Sequence, residues 1–417
     1  MTIQRAWKYK LELTASQGET LWTWMSHLRG LFNLALQHRE MNYRQFRKSM
    51  NYYDQANDLV ELKSVAPWLA NVPSQCLQQK LKDVETAYKR FFKKEAGYPQ
   101  FKKRGKGMSL RFPEPKGFAV SFRKGKRTSF VKLPKVGLVK FVSSREMRGR
   151  ICNATVTLNP SGEFYISFQT EQEIEVAPSA LPAVGIDRGV RTMGMTSEGE
   201  CLELPLGRFR ELEKKLAKEQ RVLARKTLGS HNYKKQKVRV AKCHAKIANV
   251  RKDSLHKITN GIAKSHGLVV LENLKIKNMT ASASGTLEEP GKRVAQKRGL
   301  NKAILQQGWG EFARQLAYKL SWAGGELRKV PPQYTSQKCS NCGHVHSKNR
   351  RKERFLCLAC GHADHADVNA AKNILALGYS VTVCGGASVG VLANAKTRRV
   401  SKKQKPVGGV SPSPNAA

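Results

Sequence analysis

Acidic residues are scarce in this chain: 31 Asp and Glu stand against 75 Lys and Arg in 417 residues, a formal net charge of +44. So one-sided a balance argues against an ordinary metabolic enzyme and for a polyanionic partner, of which nucleic acid is the usual one. The sequence also lacks an apolar run of about 18 residues, an amphipathic membrane anchor and an N-terminal signal peptide. A membrane or secreted protein is therefore not expected, and the expected setting is a soluble, cytoplasmic one. Isolated cysteines are few; Cys76, Cys152, Cys201, Cys243 and Cys384 stand singly, as reduced thiols do. The 40% of hydrophobic residues that are present suffice for two or three domains, each with a core.

With acids so few, their settings are informative. Asp187 lies in AVGIDRGVRTMGM, where Ala183, Val184 and Ile186 form an apolar run, Gly189 breaks it and a second run follows at Met193 to Met195. The pattern predicts a β-hairpin with a carboxylate inside a buried strand. Burying that charge is costly unless a cation or hydrogen-bond donors compensate it. Glu272 ends a similar run, GLVVLE, and Asp367 opens HADVNAAKNIL, where Asp367, Ala370, Ala371 and Ile374 recur at helical spacing. A lone acid at a strand end is more often a cap or half of an ion pair. Three of them in apolar settings can converge to hold divalent metal ions for phosphodiester cleavage.

Along the chain, residues 7–13 alternate as a strand, and Thr14 to Gln17 has capping-box spacing before a helix marked by Leu21, Trp24, Met25, Leu28, Leu31, Phe32 and Ala35. A second helix is expected after Pro73, with Leu77, Leu81, Val84, Tyr88, Phe91 and Phe92 as its apolar stripe and lysines, Lys80 among them, around it. Its aromatics are expected in the core and its lysines on a nucleic-acid face. Residues 15–95 thus form a helical unit inserted after a first strand at 1–14. From 96 to 175 the runs SLRF, FAVSF, SFVKL, GLVKFV, CNATVTL and EFYISFQ alternate between turns, predicting an antiparallel β-barrel or sandwich completed by strand 7–13.

A linker leads into a domain at 183–335 that carries a polar insertion at 207–265. Its apolar spacings predict two long helices broken at Gly229 to Asn232. Between Arg208 and Lys257 there are 17 Lys and Arg against four acids, which favours a nucleic-acid contact over a merely solvated face. Residues 278–300 read as a mobile loop, Trp309 to Ala323 as an amphipathic helix, Glu326 to Val330 as a strand and 363–380 as a last helix. The tail, 381–417, is expected to be disordered at least from 398.

Within 336–362, Cys339, Cys342, Cys357 and Cys360 read C-x2-C, fourteen residues, C-x2-C. Two such knuckles place four thiolates around Zn2+, and a closed four-sulfur set is structural, with no open catalytic position.

Taken together, GIDRG, LEN after a helical insertion, GWGEFARQL, CSNCG with CLACG, DVNAAKNI, and the earlier TAYKRFF and YPQFKKR make a sequence that resembles the TnpB family, transposon-encoded RNA-guided DNA endonucleases related to type V CRISPR effectors. That resemblance implies a multi-domain α/β and β protein: a RuvC-like nuclease domain of RNase H fold interrupted by the zinc ribbon, preceded by a wedge-like β-barrel with its recognition helices. It implies Asp187, Glu272 and Asp367 as the catalytic carboxylates holding two Mg2+ ions about 4 Å apart. Asp364 is the neighbour that could be confused with Asp367. The family often has D-R-D where this chain has His365, Ala366 and Asp367, which keeps the last acid. It implies nucleic-acid contacts at Gln78 and at Tyr98, Phe101 and Lys102. The implied partners are one guide RNA per chain, derived from the transposon end, and double-stranded target DNA beside a short adjacent motif. Two rivals remain, an unguided transposase or resolvase-like nuclease and a guided repressor that binds without cutting.

Overall fold

The computed structural model describes residues 1–383 apart from 106, 124 and 287; the tail from 384 onward lies outside the described residues. The alternating opening stretch forms β1 (Thr2–Glu12), with Ile3, Tyr9 and Leu11 turned inward. Thr14 and Gln17 then exchange side-chain and backbone hydrogen bonds in a complete capping box that starts α1 (Ala15–Phe46). Arg47 in the left-handed region ends it. A helix that the apolar stripes did not reveal follows, α2 (Tyr52–Val65), whose signal is the Asn51 cap with Asp54 three residues on. The helix after Pro73 is therefore the third, α3 (Ser74–Phe92). It also corrects the expected division of its faces: Phe92 is 72% exposed, whereas Lys80 is buried and paired with Asp83 at 2.7 Å.

Six further strands, β2 (Ser109–Phe112), β3 (Ala119–Ser121), β4 (Thr128–Leu133), β5 (Gly137–Val142), β6 (Arg150–Leu158) and β7 (Phe164–Glu173), coincide with the six alternating runs. All pairings are antiparallel, in the order β2-β6-β7-β1-β5-β4-β3. β1 joins the two halves, pairing with β7 over most of its length and with β5 at Leu11 and Glu12. The sheet wraps an aromatic core of Tyr9, Phe141 and Phe168, and its two edges, β2 and β3, do not pair with each other among the described residues.

The second sheet is built differently. β8 (Ala183–Asp187), β9 (Gly194–Thr196) and β10 (Cys201–Leu202) form an antiparallel meander, and β8 also pairs in parallel with β11 (Leu268–Glu272), which pairs in parallel with β12 (Glu326–Val330). The order β10-β9-β8-β11-β12 puts the two acid-bearing strands at its centre. Between β10 and β11 run α4 (Leu206–Ala224) and α5 (His231–Ser265), turned at Gly229 (φ +81) and Ser230, the N-cap. α6 (Ile276–Met279) and α7 (Val294–Gln307) follow β11, so helix occupies both ends of the stretch expected to be a loop. The later one forms because VAQKRGLNKAILQQ is rich in strong helix formers once Pro290 and Gly291 are passed. α8 (Trp309–Trp322) covers the sheet through Phe312, Leu316 and Leu320.

A small sheet, β13 (Arg350–Arg351), β14 (Arg354–Leu356) and β15 (Ala363–His365), holds the cysteine knuckles and reaches three residues past the expected boundary at 362. α9 (Ala366–Val383) then returns across β8, starting and ending three residues later than expected. Its approach depends on Gly185, where a Cβ would lie 2.2 Å from the Ala371 carbonyl oxygen. Gly185→Ala should therefore cost about 1–3 kcal/mol, read as a fall in Tm with helix content retained. Gly207→Ala, where nothing lies within 4 Å of an added Cβ, is the control that should leave Tm unchanged. Equal Tm for all three proteins would mean that α9 does not sit on β8 as described.

Candidate active site

Asp187 is the last residue of β8 and Glu272 the last of β11. The strands are parallel with Leu271 opposite Ile186, so the next step in register brings the two acids to adjacent strand ends. Asp367 arrives from the first turn of α9. Burial, then the charges of Glu272 and Asp367, push the Asp187 carboxyl up to about 7. Glu272 is also raised, by burial above all.

Neutral and cationic groups hold these acids. Thr335 Oγ1 donates to Glu272 Oε1 at 2.7 Å. The buried Arg188 guanidinium donates to the Glu272 backbone carbonyl, tying the two strand ends together. Arg350, from the small sheet, donates to Asp367 Oδ1 at 2.6 Å. Two asparagines on α9 complete the frame: Asn369 Nδ2 donates to the Lys338 carbonyl at 2.8 Å, and Asn373 Nδ2 to those of Thr335 and Lys338 at 2.9 and 2.7 Å. None of these five residues was singled out in the sequence. The available signals were Arg188 directly after the buried acid, and two asparagines four apart on a helix face shared with Ala370. Asp364 lies elsewhere, on β15, with its carboxylate 2.8 Å from Lys372 Nζ.

The donor sets fit metals in different ways. Among the described residues, Cys339, Cys342, Cys357 and Cys360 are the one group of His, Cys, Asp and Glu whose ligand atoms all lie within 4.8 Å of one another. Their sulfurs are 3.8 Å apart for Cys339 and Cys360 and 3.6 Å for Cys342 and Cys357. A tetrahedron with Zn–S of about 2.3 Å has edges of about 3.8 Å, which both of these distances match, so this set could bind zinc. The three carboxylates are not gathered so tightly. Mutual repulsion and the pull of Arg350 on Asp367 both oppose closure, while a hard divalent cation with oxygen ligands would relieve the first.

Comparison with known proteins places the chain in a family. A family profile described as "Probable transposase" matches residues 166–283, spanning Asp187 and Glu272. One described as "Cas12f1-like, TNB domain" matches 309–374, spanning the cysteines and Asp367, and a "Helix-turn-helix domain" profile matches 1–48, here one strand and one long helix. The chain is 43% identical over 386 residues to an Escherichia coli K12 protein named "Putative RNA-guided DNA endonuclease InsQ", covering 91% of this chain and 94% of that one.

The chain belongs to the TnpB family.

A second relative, from Streptomyces pristinaespiralis and named "Putative RNA-guided DNA endonuclease", is 31% identical over 97% of this chain and 96% of its own. The TnpB-family fold extends to a solved structure titled as a mini-RNA-guided endonuclease, CRISPR-Cas_phi3, with a TM-score of 0.52 at 10% identity, covering 90% of this chain and 92% of that one. No described helix of this chain is long and apolar enough to cross a membrane.

The other expected contact residues lie on α3 and in the segment that follows it. Gln78 is exposed on α3, and Tyr98 and Phe101 are exposed after it. Lys102 is different: its Nζ lies 3.8 Å from the Phe32 ring centroid, and burial, then Lys80, push it down to about 8. Its backbone exchanges two hydrogen bonds with the Asn33 side chain, which makes it an anchor of the segment.

Two outcomes follow for the acids and the thiols. A carboxyl raised to about 7 from 3.8 binds its proton more tightly in the native state, so its contribution to stability is full below about pH 4 and lost as pH rises to 7. Asp187→Asn should therefore melt progressively above the metal-free wild type across that window; parallel Tm curves would mean that the acid is not raised. Cys357→Ser should remove one equivalent of zinc by atomic absorption and lower Tm, and unchanged metal content would exclude the tetrathiolate site.

Proposed function

We propose that this chain is an RNA-guided DNA endonuclease of a transposable element, cutting double-stranded DNA beside a short adjacent motif by metal-dependent phosphodiester hydrolysis. The observation that carries the reading is the meeting of Asp187, Glu272 and Asp367 from two strands and a helix, in a chain of net charge +44. Family membership and the names of the two relatives support it. On this reading the five-stranded sheet with α9 is the RuvC-like nuclease core of RNase H fold, the tetrathiolate unit its structural zinc ribbon, and the seven-stranded sheet with its inserted helices the part that grips RNA and reads the adjacent motif.

Asp187, Glu272 and Asp367 would hold the two Mg2+ ions. When bound, the ions supply activation of a water and charge stabilisation at the leaving oxygen. The chain's own residues set the stage. Arg188 fixes the strand ends, Thr335 orients Glu272, and Arg350 keeps Asp367 in place until a cation competes for it. Exposed cations elsewhere hold the RNA and heteroduplex backbones, while base pairing selects the target. The partners are one guide RNA from the transposon end and its matching target DNA, met in the cytoplasm.

The guided repressor reading requires a lost carboxylate, and all three acids are present. The deciding experiment isolates the protein from its native locus, sequences the RNA that accompanies it and offers the complex a matching plasmid with and without Mg2+. A discrete RNA with a variable end and Mg2+-dependent cutting of the match is expected; random RNA with indiscriminate cutting would point to an unguided nuclease. In the same complex, Asp187→Ala should lower cutting by at least about a thousandfold while guided DNA binding persists. Loss of both together would make Asp187 a structural residue.

A further inference from the structure

A cavity lies between the C-terminal ends of α1 and α3, and of its lining only Tyr98 has so far been given an expected role. It measures about 650 Å3 and is lined chiefly by aromatic and basic side chains, with Met50 the one aliphatic residue among them. Its wall is a cluster of rings. Tyr88 and Phe92 stack at 6.2 Å and 24°, Tyr98 stands edge-on to Tyr88 and Phe91, and the Tyr88 and Tyr98 hydroxyls meet at 3.2 Å. Tyr43, Phe92 and Tyr98 remain exposed, Phe92 against the core role that the apolar stripe of α3 predicts for it. At the rim, Arg44, Arg47 and Lys89 outnumber Glu40, which pairs with Arg44 at 2.6 Å, and Glu85, which pairs with Lys89 at 3.3 Å; beneath, Arg39 lies 5.5 Å from the Tyr88 ring centroid and also pairs with Glu85, at 2.8 Å.

An apolar peptide would meet little aliphatic surface here, and an acidic one would leave the flat faces unused. Flat rings beside a cationic rim match a nucleotide, whose base stacks and whose phosphate takes the charge. The volume falls within the range of small-ligand sites. We propose that this cavity receives an unpaired nucleotide of the bound guide RNA, its base stacked among Tyr43, Phe92 and Tyr98 and its phosphate facing Arg44 and Arg47. The inference rests on the guided-nuclease reading for the identity of the strand.

The test uses the full-length protein and a single-stranded RNA of about 12 nucleotides carrying one 2-aminopurine, compared with the same sequence as DNA and as a duplex. Stacking should quench 2-aminopurine fluorescence in the RNA, and Phe92→Ala with Tyr98→Ala should abolish the quench and weaken single-strand binding roughly tenfold. Duplex binding should hold. Phe92→Leu with Tyr98→Leu keeps apolar bulk without a π-face and should give the same loss at unchanged Tm, which separates stacking from misfolding. A quench that survives both variants, or equal weakening of duplex and single strand, overturns the pocket. Stronger quenching with DNA overturns the RNA assignment. Because this titration needs neither guide nor cutting, its failure is distinct from failure of the guided-nuclease reading, which the accompanying RNA and plasmid cutting decide.

Discussion

Three like charges cannot be brought to one place without something holding them, and most of the second half of the chain is arranged to do so. Two of the acids are fixed by backbone register, since parallel pairing of β8 with β11 leaves Asp187 and Glu272 at neighbouring ends. The third depends on how closely a helix can lie on a strand. Gly185 permits that approach by presenting no side chain to the Ala371 carbonyl, and Gly378 does the same against Val270 further along α9. The cost of the arrangement appears in the acids themselves, where Asp187 is held near 7. A divalent cation placed among these acids would remove that repulsion as well as add its own attraction.

The cysteine unit and the acids are mechanically one object. Asn369 and Asn373 hydrogen-bond the backbone at Thr335 and Lys338, immediately before the first knuckle. Asn369 also accepts from the Ser340 N–H, inside that knuckle. From the far side of the unit, β15 runs directly into α9, and Arg350 on β13 reaches Asp367. Folding of the four-thiolate unit therefore fixes both the start of α9 and the cation beside its acid. Metal at the cysteines would thus be coupled to the geometry of the carboxylates through a few hydrogen bonds, without any thiolate approaching them.

Much of this was legible in the residues. Asp187 and Glu272 drew notice as acids in apolar runs only when taken together with Asp367, and alternation with turn residues located the six strands from Ser109 to Glu173 because one face of that sheet is buried and the other is not. What escaped was carried by polar or conformational features with no period. α2 buries only Gln55 and Leu59, too little for an apolar stripe, and its N-terminus is specified by the polar pair Asn51 and Asp54. α7 buries Ile304 and Gln307 and was masked by the Gly/Ser-rich stretch before it. Phe92 and Lys80 exchanged their expected places because a stripe of large residues at helical spacing does not say where the neighbouring helix ends, and α1 does not cover the last turn of α3. The supporting set of Arg188, Thr335, Arg350, Asn369 and Asn373 becomes visible only when distant segments are brought together.

A strongly basic chain must also keep its positive field from neutralising the acids it has assembled. The α4–α5 hairpin illustrates how. Phe209, Leu212, Leu255 and Ile262 root it in the core that contains Val184 and Ile186, while beyond Val240 and Gln236 its side chains are largely exposed. From Leu255 to His231 the helix rises about 1.5 Å per residue, or roughly 36 Å, several times the screening length of about 8 Å at physiological salt. Cations near that tip act on whatever polyanion lies beside them and contribute almost nothing at Asp187. The groups that do temper Asp187 are the near ones, Arg350 and Arg188. Arg188 is engaged by the Glu272 backbone carbonyl, whereas Arg350 already holds the Asp367 carboxylate and would have to yield it to a cation. Distance for most of the charge, and prior hydrogen bonding for the rest, let one chain carry a net +44 and still keep an acidic site fit for a divalent ion.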